Sequence, residues 1–345
     1  MSELVRVVVD AMGGDYAPVE PVKGAVEALR ESDRIKVILT GDRDAIEAEL
    51  QKYQEIPRDR LEIVHTTQVI ETGEPPVRAI QGKKDSSLVV GLNLVHKGEA
   101  DALVSSGSTG AVLVGGQAIA KKIRGIQRAP LAPLIPTERG VSLLIDCGAN
   151  VDARPAHLVQ FAVIGSIYMK SVCGIENPRV GLVNIGTEEE KGNALCKETY
   201  PLLKARKDIN FIGNVEARDI PSGAADIYVT EAFVGNVILK MYEGVAKTLL
   251  KAVKNGLKSN PVAAIGGMMI KPTLKKTLKA FDTGNYGGAP LLGLQGLVVK
   301  THGSSRANEF KNTILQCIQF KEEDVNGKIQ DFLRREKEEK TAAES

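Results

Sequence analysis

Features that nucleic-acid-binding and membrane-spanning proteins need are scarce in this sequence. The chain of 345 residues has no tryptophan, its aromatic residues make up 4%, and its formal net charge is +2. Nucleic-acid-binding surfaces usually need a basic field and aromatic side chains that stack on bases. No apolar run reaches the roughly 20 residues of a membrane-spanning helix. The sequence therefore predicts a cytoplasmic globular protein that binds no nucleic acid and at most associates with a membrane surface.

Cysteine and histidine are also scarce, with four residues of each type. The cysteines form no CxxC pair and the histidines are far apart, so neither a zinc site nor a disulfide framework is indicated. We therefore expect free thiols in a reducing cytosol, and neither a metal nor a cofactor. Only His302, beside a glycine in THGSS, is a candidate site residue.

Three common site motifs are absent. The chain contains no GxGxxG opening a βαβ unit, no P-loop GxxxxGK[ST] and no GxSxG nucleophile elbow. These absences argue against a dinucleotide-binding domain, a P-loop nucleotidase and a serine hydrolase.

Short β-branched runs alternate with helical stretches along most of the chain. Such alternation is typical of a mostly parallel sheet covered by helices on both faces. The sequence therefore predicts a three-layer α/β/α domain over residues 1–333, as one body or two lobes, and a charged tail over 334–345. The predicted strands are 5–9, 35–39, 102–105, 142–145, 180–183, 211–212, 227–229 and 297–299.

Glycine-rich turns follow several of these strands: DAMGGD, SGSTGA, NIGTEEEKGN and THGSS. In open α/β sheets, ligands bind beyond the carboxyl ends of the strands. Glycines there let the backbone approach a ligand, and helix N-termini offer N–H groups to an anion. We therefore expect one anion site on a shared sheet edge. Its candidate residues are Gly13, Gly14, Asp15, Ser106, Gly107, Ser108, Thr109, Asn184, Gly186, Thr187 and His302.

Ordered motifs over about residues 5–312 carry a family resemblance. They are VDAMGGDYAP, PPVRAIQGKKDSS, ALVSSGSTGA, LIDCGANVD, VGLVNIGTEEEKGN, FIGNVEARDI, DIYVTEAFVGNVILK and GGAPLLGLQG with THGSS. In this order they resemble the phosphate acyltransferases of bacterial phospholipid synthesis, the PlsX type. The resemblance implies that acyl–acyl carrier protein and inorganic phosphate give acyl phosphate and free carrier protein. It also implies a homodimer and a fold similar to the isocitrate/isopropylmalate dehydrogenase and phosphotransacetylase group.

The resemblance points to Lys191, in EEEKGN, and Asn236, in FVGN, as catalytic residues. The lysine would give positive charge to phosphate or to the developing oxyanion, and the amide would donate a hydrogen bond. Two plainer interpretations stay open, namely a solvated lysine beside three glutamates and an asparagine that caps a helix. Asp10 and Asp15 are expected to fix the loop geometry or a neighbouring cation rather than to touch phosphate, because a carboxylate repels phosphate.

Two other functions remain as alternatives. A dehydrogenase on the same fold would need a nucleotide pocket and a set of metal-binding aspartates, and neither is evident in the sequence. A non-catalytic scaffold that recruits lipid-synthesis proteins to the membrane would leave the polar glycine turns without a purpose.

Residues 233–281 read as a helical insertion with an apolar centre flanked by lysines. Breaks at Pro261, Gly266–Gly267 and Pro272 predict a helical hairpin with an apolar tip. Such a segment can enter the headgroup region while its lysines meet anionic lipid at the inner face of the cell membrane. The alternative is that it packs in a dimer core. The predicted membrane contacts are Val262, Ile265, Met268, Met269 and Ile270.

Overall fold

The computed structural model describes residues 4–279 and 286–344, which form eleven strands and eleven helices. The strands are β1 (Val5–Asp10), β2 (Ile35–Gly41), β3 (Leu61–His65), β4 (Ala102–Ser105), β5 (Leu134–Thr137), β6 (Gly140–Ile145), β7 (Arg179–Asn184), β8 (Asn210–Glu216), β9 (Ile227–Val229), β10 (Ala289–Pro290) and β11 (Leu297–Lys300). The helices are α1 (Val19–Glu31), α2 (Arg43–Leu50), α3 (Pro76–Gly82), α4 (Ser87–His96), α5 (Thr109–Gly115), α6 (Pro155–Cys173), α7 (Ala194–Lys204), α8 (Ala232–Gly256), α9 (Pro261–Lys279), α10 (Ala307–Glu322) and α11 (Val325–Glu344).

The strands divide between two sheets, although the sequence analysis placed the site loops on the edge of one. The first has the order β10-β11-β4-β1-β2-β3 and the second β5-β6-β9-β7-β8. All pairings are parallel except those of the edge strands β10 and β5. Isolated bridges, such as that between Leu131 and Leu291, link the segments next to these two edges. The predicted α/β class with mostly parallel strands is confirmed.

The central strands are buried on both faces, as their β-branched sequences predict. Val7, Val8 and Val9 of β1 have no exposed surface. The flanking layers are helices, and one apolar cluster contains residues of both sheets together with α1, α6 and α10. This arrangement is what continuous apolar strands require.

Helix α6 lies in this core. Its Tyr168 is fully buried, lies with its ring centroid 6.5 Å from that of Phe320 on α10, and accepts a hydrogen bond from Gln316. By length and composition α6 could cross a membrane, but half of the apolar window is buried within the protein. Its apolar character is therefore explained by core packing.

Strand register determines which side chains meet at the carboxyl edge of the first sheet. Lys300 of β11 pairs with Ser105 of β4, and Val9 of β1 pairs with Val104. Because the three strands are parallel neighbours, the last residues Asp10, Ser105 and Lys300 lie side by side.

The helical insertion differs from its prediction. The chain breaks between α8 and α9, at residues 257–260, near the expected break at Pro261. Helix α9 then continues through Gly266, Gly267 and Pro272, so the predicted breaks there are wrong. An interior proline loses one helix hydrogen bond, and on this exposed helix water can satisfy the freed carbonyl. The apolar residues lie along α9 rather than at a tip. Residues 280 and 281 of the predicted insertion lie outside the described residues.

At the C-terminus, α11 includes most of the segment predicted as a charged tail. Arg206 pairs with Glu336 of this helix at 2.8 Å, and its guanidinium lies over the ring of Phe332. These contacts attach α11 to the segment that follows α7.

Candidate active site

Three of the predicted loops meet at the carboxyl edge of the first sheet. The backbone N–H of Asp15 donates to the carbonyl oxygen of Gly303 at 2.8 Å. The hydroxyl of Ser106 donates to the carbonyl oxygen of Gly13 at 2.7 Å. DAMGGD, SSGSTG and THGSS, separated by up to about three hundred residues in the chain, therefore form one rim.

The two glycines of DAMGGD are required by this packing. A Cβ on Gly13 would lie 2.5 Å from Asp10 Oδ2 and 2.8 Å from the amide nitrogen of Gly107. Gly14 has φ +91°, and a Cβ there would overlap the hydroxyl of Ser106. The glycines thus allow the loops to touch one another, which is a simpler reason for them than close approach to a substrate.

Asp10 fixes these loops, as expected. Its side chain is 2% exposed and accepts hydrogen bonds from the Ser105 hydroxyl at 2.7 Å and from the Met12 amide at 3.3 Å. Burial raises its pKa, although these donors act in the opposite direction. The buried Asp10 carboxyl group therefore holds the loops of the rim together by hydrogen bonds.

A cavity of about 690 Å³ lies beside this rim, between the two sheets and under α8, and we call it the α8 cavity. Its volume is in the range of small-molecule sites. Four lysines and two glutamates are among its lining residues, and so are the site candidates Thr109, Asn236 and His302. The charged lining residues are Lys240, Glu243, Lys247, Lys271, Lys300 and Glu309.

Helix α8 gives the α8 cavity two different walls. The polar residues Asn236, Lys240, Glu243 and Lys247 recur at helical spacing and share one strip of the helix. The strip beside it is mostly apolar and consists of Leu239, Tyr242, Ala246 and Leu250.

Contacts on either side of α8 show which part of the protein each strip faces. The polar strip faces His302, whose Nε2 lies 3.2 Å from Lys240 Nζ. The mostly apolar strip faces β5, because the Tyr242 hydroxyl donates to the carbonyl oxygen of Pro136 at 2.6 Å. Pro133 and Leu134 line the α8 cavity on that side.

His302 joins α8 to the rim. Its Nδ1 lies 2.8 Å from the Ser304 hydroxyl and accepts from the Ser304 amide at 3.2 Å, while Glu243 Oε2 is 3.9 Å from Nε2. Burial lowers its pKa, and so does the neighbouring ammonium of Lys240. The neutral ring is therefore favoured.

Lys300 is a functional candidate that the sequence analysis did not identify. It lines the α8 cavity with only 8% of its surface exposed, and its Nζ donates to the carbonyl oxygen of Thr301. Burial, followed by the charge of Lys240, lowers its pKa to about 8. Lys240 was also missed, although its spacing from Asn236 in the predicted helix was a usable signal.

The start of α8 is closed to ligands. The Glu231 carboxylate accepts from the amides of Phe233 and Val234, and the Ala232 amide donates to Asn150 O. The general expectation that helices behind the strand-end turns offer free N–H groups is therefore wrong at α8, because the protein uses these groups itself. Asn236 lies beyond the cap, so the helix-cap interpretation of this residue does not hold.

The other predicted site residues form a separate loop after β7. Asn184 is buried; its Nδ2 donates to Lys191 O at 3.0 Å and its Oδ1 accepts from the amide of Ile185. Gly186 and Thr187 lie between them, and the Lys191 side chain is exposed beside Gly186. No residue of this loop is among those found to line the α8 cavity.

Cys147 also lines the α8 cavity but is a poor nucleophile. Burial raises the pKa of its thiol, and the charges of Asp146 and Glu243 raise it further. A thiolate is the reactive form of cysteine. Among the residues found to line the α8 cavity there are therefore lysine ammonium groups and the Asn236 amide, but no activated cysteine.

The sequence profile of the family described as "Fatty acid synthesis protein" matches residues 5–328. The chain belongs to this family. A family relative from Clostridium perfringens, named phosphate acyltransferase, is 48% identical over 329 residues, covering 95% of this chain and 97% of its own. Another with the same name, from Clostridioides difficile, is 47% identical over 336 residues, covering 97% and 98%. The family predicted from the motifs is confirmed.

Solved structures agree on the fold. A phosphotransacetylase from Streptococcus pyogenes has a TM-score of 0.61 with this family member at 18% sequence identity, covering 92% of this chain and 94% of that chain. The predicted phosphotransacetylase-like architecture is confirmed.

Proposed function

We propose that this protein transfers the fatty acyl group of acyl–acyl carrier protein to inorganic phosphate and gives acyl phosphate for phospholipid synthesis. Family membership and relatives named phosphate acyltransferase support the reaction class. The observation that carries the proposal is the α8 cavity, because one helix presents it with a lysine-containing strip and a mostly apolar strip. A site that binds a small anion and an acyl chain together needs both the charged strip and the apolar strip.

The reaction depends more on holding phosphate in position than on activating it as a nucleophile. An oxygen of phosphate attacks the thioester carbonyl carbon, the C–S bond breaks, and the carrier protein leaves as a thiolate. Phosphate is itself a nucleophile, so the main tasks are to hold it beside the carbonyl and to donate hydrogen bonds to the developing oxyanion. Lysines of the α8 cavity serve the first task, and the exposed amide of Asn236 serves the second.

Lys191 keeps its predicted catalytic role within this proposal. Its loop follows β7, which pairs with β9, and β9 leads directly into the helix that carries Asn236. The carboxyl ends of neighbouring parallel strands lie at one edge. An exposed lysine there can reach phosphate or carrier protein when they bind.

The test is an assay with purified protein, acyl–acyl carrier protein and phosphate, scored by acyl phosphate and free carrier thiol. Asn236→Ala and Lys191→Ala should fold normally, with turnover lower by roughly 100- to 1,000-fold for a lost oxyanion donor. Absence of product from the wild type contradicts the proposal. Hydride transfer to a nicotinamide would support the dehydrogenase alternative, and recruitment without turnover would support the scaffold.

We propose a cytoplasmic location with peripheral contact to anionic membrane through α9. Its apolar side chains are widely exposed, with Val262 at 80% and Met269 at 78%. Lys258 precedes these residues in the chain, and Lys271, which also lines the α8 cavity, follows them. Exposed apolar residues between lysines suit the headgroup region of an anionic bilayer.

We also propose a homodimer formed through a row of exposed apolar residues on α8, which we call the outer stripe of α8. These exposed apolar residues recur every four positions, on the side of α8 away from the α8 cavity, and so share one slowly winding face. A continuous exposed apolar surface of this kind usually marks an interface. The stripe consists of Phe233, Val237, Met241, Val245 and Leu249.

A further inference from the structure

The Lys300 ammonium is buried, and no residue that the structure describes forms an ion pair with it. Its Nζ has the neighbouring carbonyl of Thr301 as hydrogen-bond partner. Within residues 4–279 and 286–344, no carboxylate forms an ion pair with it. Burying a charge without pairing it is costly. An anion that enters the α8 cavity would therefore remove an energetic penalty already present in the free protein.

Other ionisable groups surround this lysine. Asp10 and Asp15, on and after β1, raise its pKa, whereas burial and Lys240 on α8 lower it to about 8. Glu243 of α8, Glu309 of α10 and His302 line the same cavity. Among the described residues none of these carboxylates forms an ion pair with Lys300, and the largest influence of a neighbouring charge on its pKa comes from another cation, Lys240.

Backbone donors are not available to replace this charge at α8. The first amides of that helix already donate to Glu231 and to Asn150 O. On the α8 side of the cavity, positive charge for an anion therefore comes from side chains. Among the lysines that line it, Lys300 is the buried one.

Resting on the proposed phosphate acyltransferase function, we propose that Lys300 supplies the positive charge that binds inorganic phosphate in the α8 cavity and takes up a proton as it does so. A dianion between Lys300 and Lys240 offsets the repulsion between the two ammonium groups. Without an anion, Lys300 loses its proton above about pH 8. Anion affinity should therefore be greatest below this pH and fall by about tenfold per pH unit above it.

The experiment is isothermal titration calorimetry of the full chain with inorganic phosphate and, separately, with sulfate. Lys300→Met replaces a buried charge by an apolar side chain of similar length, so its melting temperature should stay level or rise. Its affinity for both anions should fall by about 10- to 100-fold, the loss of a charged hydrogen bond. The matched control is Lys251→Met, an exposed lysine of α8 outside the α8 cavity, which should bind like the wild type.

Titration with sulfate distinguishes protons taken up by the protein from protons exchanged by the anion itself. It stays a dianion throughout this pH range, so any proton taken up on sulfate binding belongs to the protein. Titration in two buffers of different ionisation enthalpy should show about 0.5 proton taken up per sulfate near pH 8 in the wild type, and none in Lys300→Met. This measurement also stands on the wild type alone, should the variant fail to fold.

Equal anion affinity in Lys300→Met and wild type would overturn the proposal, and so would sulfate binding without proton uptake. Neither readout depends on turnover. If the protein binds phosphate through Lys300 but forms no acyl phosphate, the proposed function fails and this inference stands. If acyl phosphate forms but Lys300→Met binds both anions like the wild type, this inference fails and the function stands.

Discussion

Two glycines of α8 provide a matched test of how this helix is held over the α8 cavity. A Cβ on Gly235 would overlap the carbonyl oxygen of Asp146, whereas a Cβ on Gly244 has nothing within 4 Å. Both positions lie inside the same helix. Replacing either by alanine gains about 1 kcal/mol in helix propensity, so the difference between the variants reports the contact alone.

The carbonyl group of Asp146, which a Cβ on Gly235 would overlap, cannot move easily. The Asp146 side chain accepts hydrogen bonds from the amides of Leu131, Ala149 and Asn150 at 2.9, 3.1 and 2.9 Å, which fixes the turn. Helix α8 must therefore shift instead, and overpacking of this kind costs about 1–3 kcal/mol. Unfolding 345 residues at about 2.1 cal/mol/K per residue gives about 0.7 kcal/mol/K, so 1 kcal/mol corresponds to about 1.4 °C.

We therefore expect Gly235→Ala to melt about 1.5–4 °C below Gly244→Ala, which itself should melt about 1.4 °C above the wild type. A shift of α8 by about 1 Å would displace Asn236 and Lys240 and lower acyl phosphate formation by roughly 100-fold. Differential scanning calorimetry and the thiol-release assay measure the two effects. Equal stability and equal turnover in the two alanine variants would refute the reasoning.

Three further outcomes are expected. Asp146→Asn turns an amide NH₂ toward backbone donors and should cost about 2–4 kcal/mol, visible as a melting temperature lower by about 3–6 °C; an unchanged transition would contradict the role of the Asp146 carboxylate in fixing this turn. Met241→Glu puts a charge in the outer stripe of α8 and should halve the mass seen by sedimentation, whereas an unaltered mass excludes that interface. Serine substitution across the apolar face of α9 should abolish flotation with anionic vesicles and leave the melting temperature unchanged, and retained flotation would rule out membrane contact there. The substituted residues are Met268, Met269 and Ile270.

Much of the architecture could be predicted from local pattern. Strands β4 and β9 were predicted with their full bounds, because short apolar runs end there at polar or glycine turns. Strand β3, at the edge of the first sheet, was missed: its sequence LEIVH is short and half-exposed, so it lacks the apolar run of a central strand. Edge strands β5 and β10 were also missed, because each contains a proline, which cannot donate a backbone hydrogen bond and therefore argues against a strand.

The site was harder to predict than the fold. The meeting of DAMGGD, SSGSTG and THGSS follows from parallel strand ends and could be anticipated. The position of Lys300 beside this rim could not, because it depends on the register of β11 against β4 across about two hundred residues of sequence. Local pattern also cannot show that Glu231 occupies the start of α8, since glutamate is not a preferred cap.

The position of β11 has a consequence for how the chain matures during synthesis. This strand comes almost last in the sequence yet lies inside the first sheet, between β10 and β4. Until the ribosome has released it, the open side of β4 presents unpaired backbone groups, which is a template for association between nascent chains. THGSS, which completes the rim, and Lys300 arrive with the same strand. Binding competence and protection from aggregation should therefore appear together, late in translation.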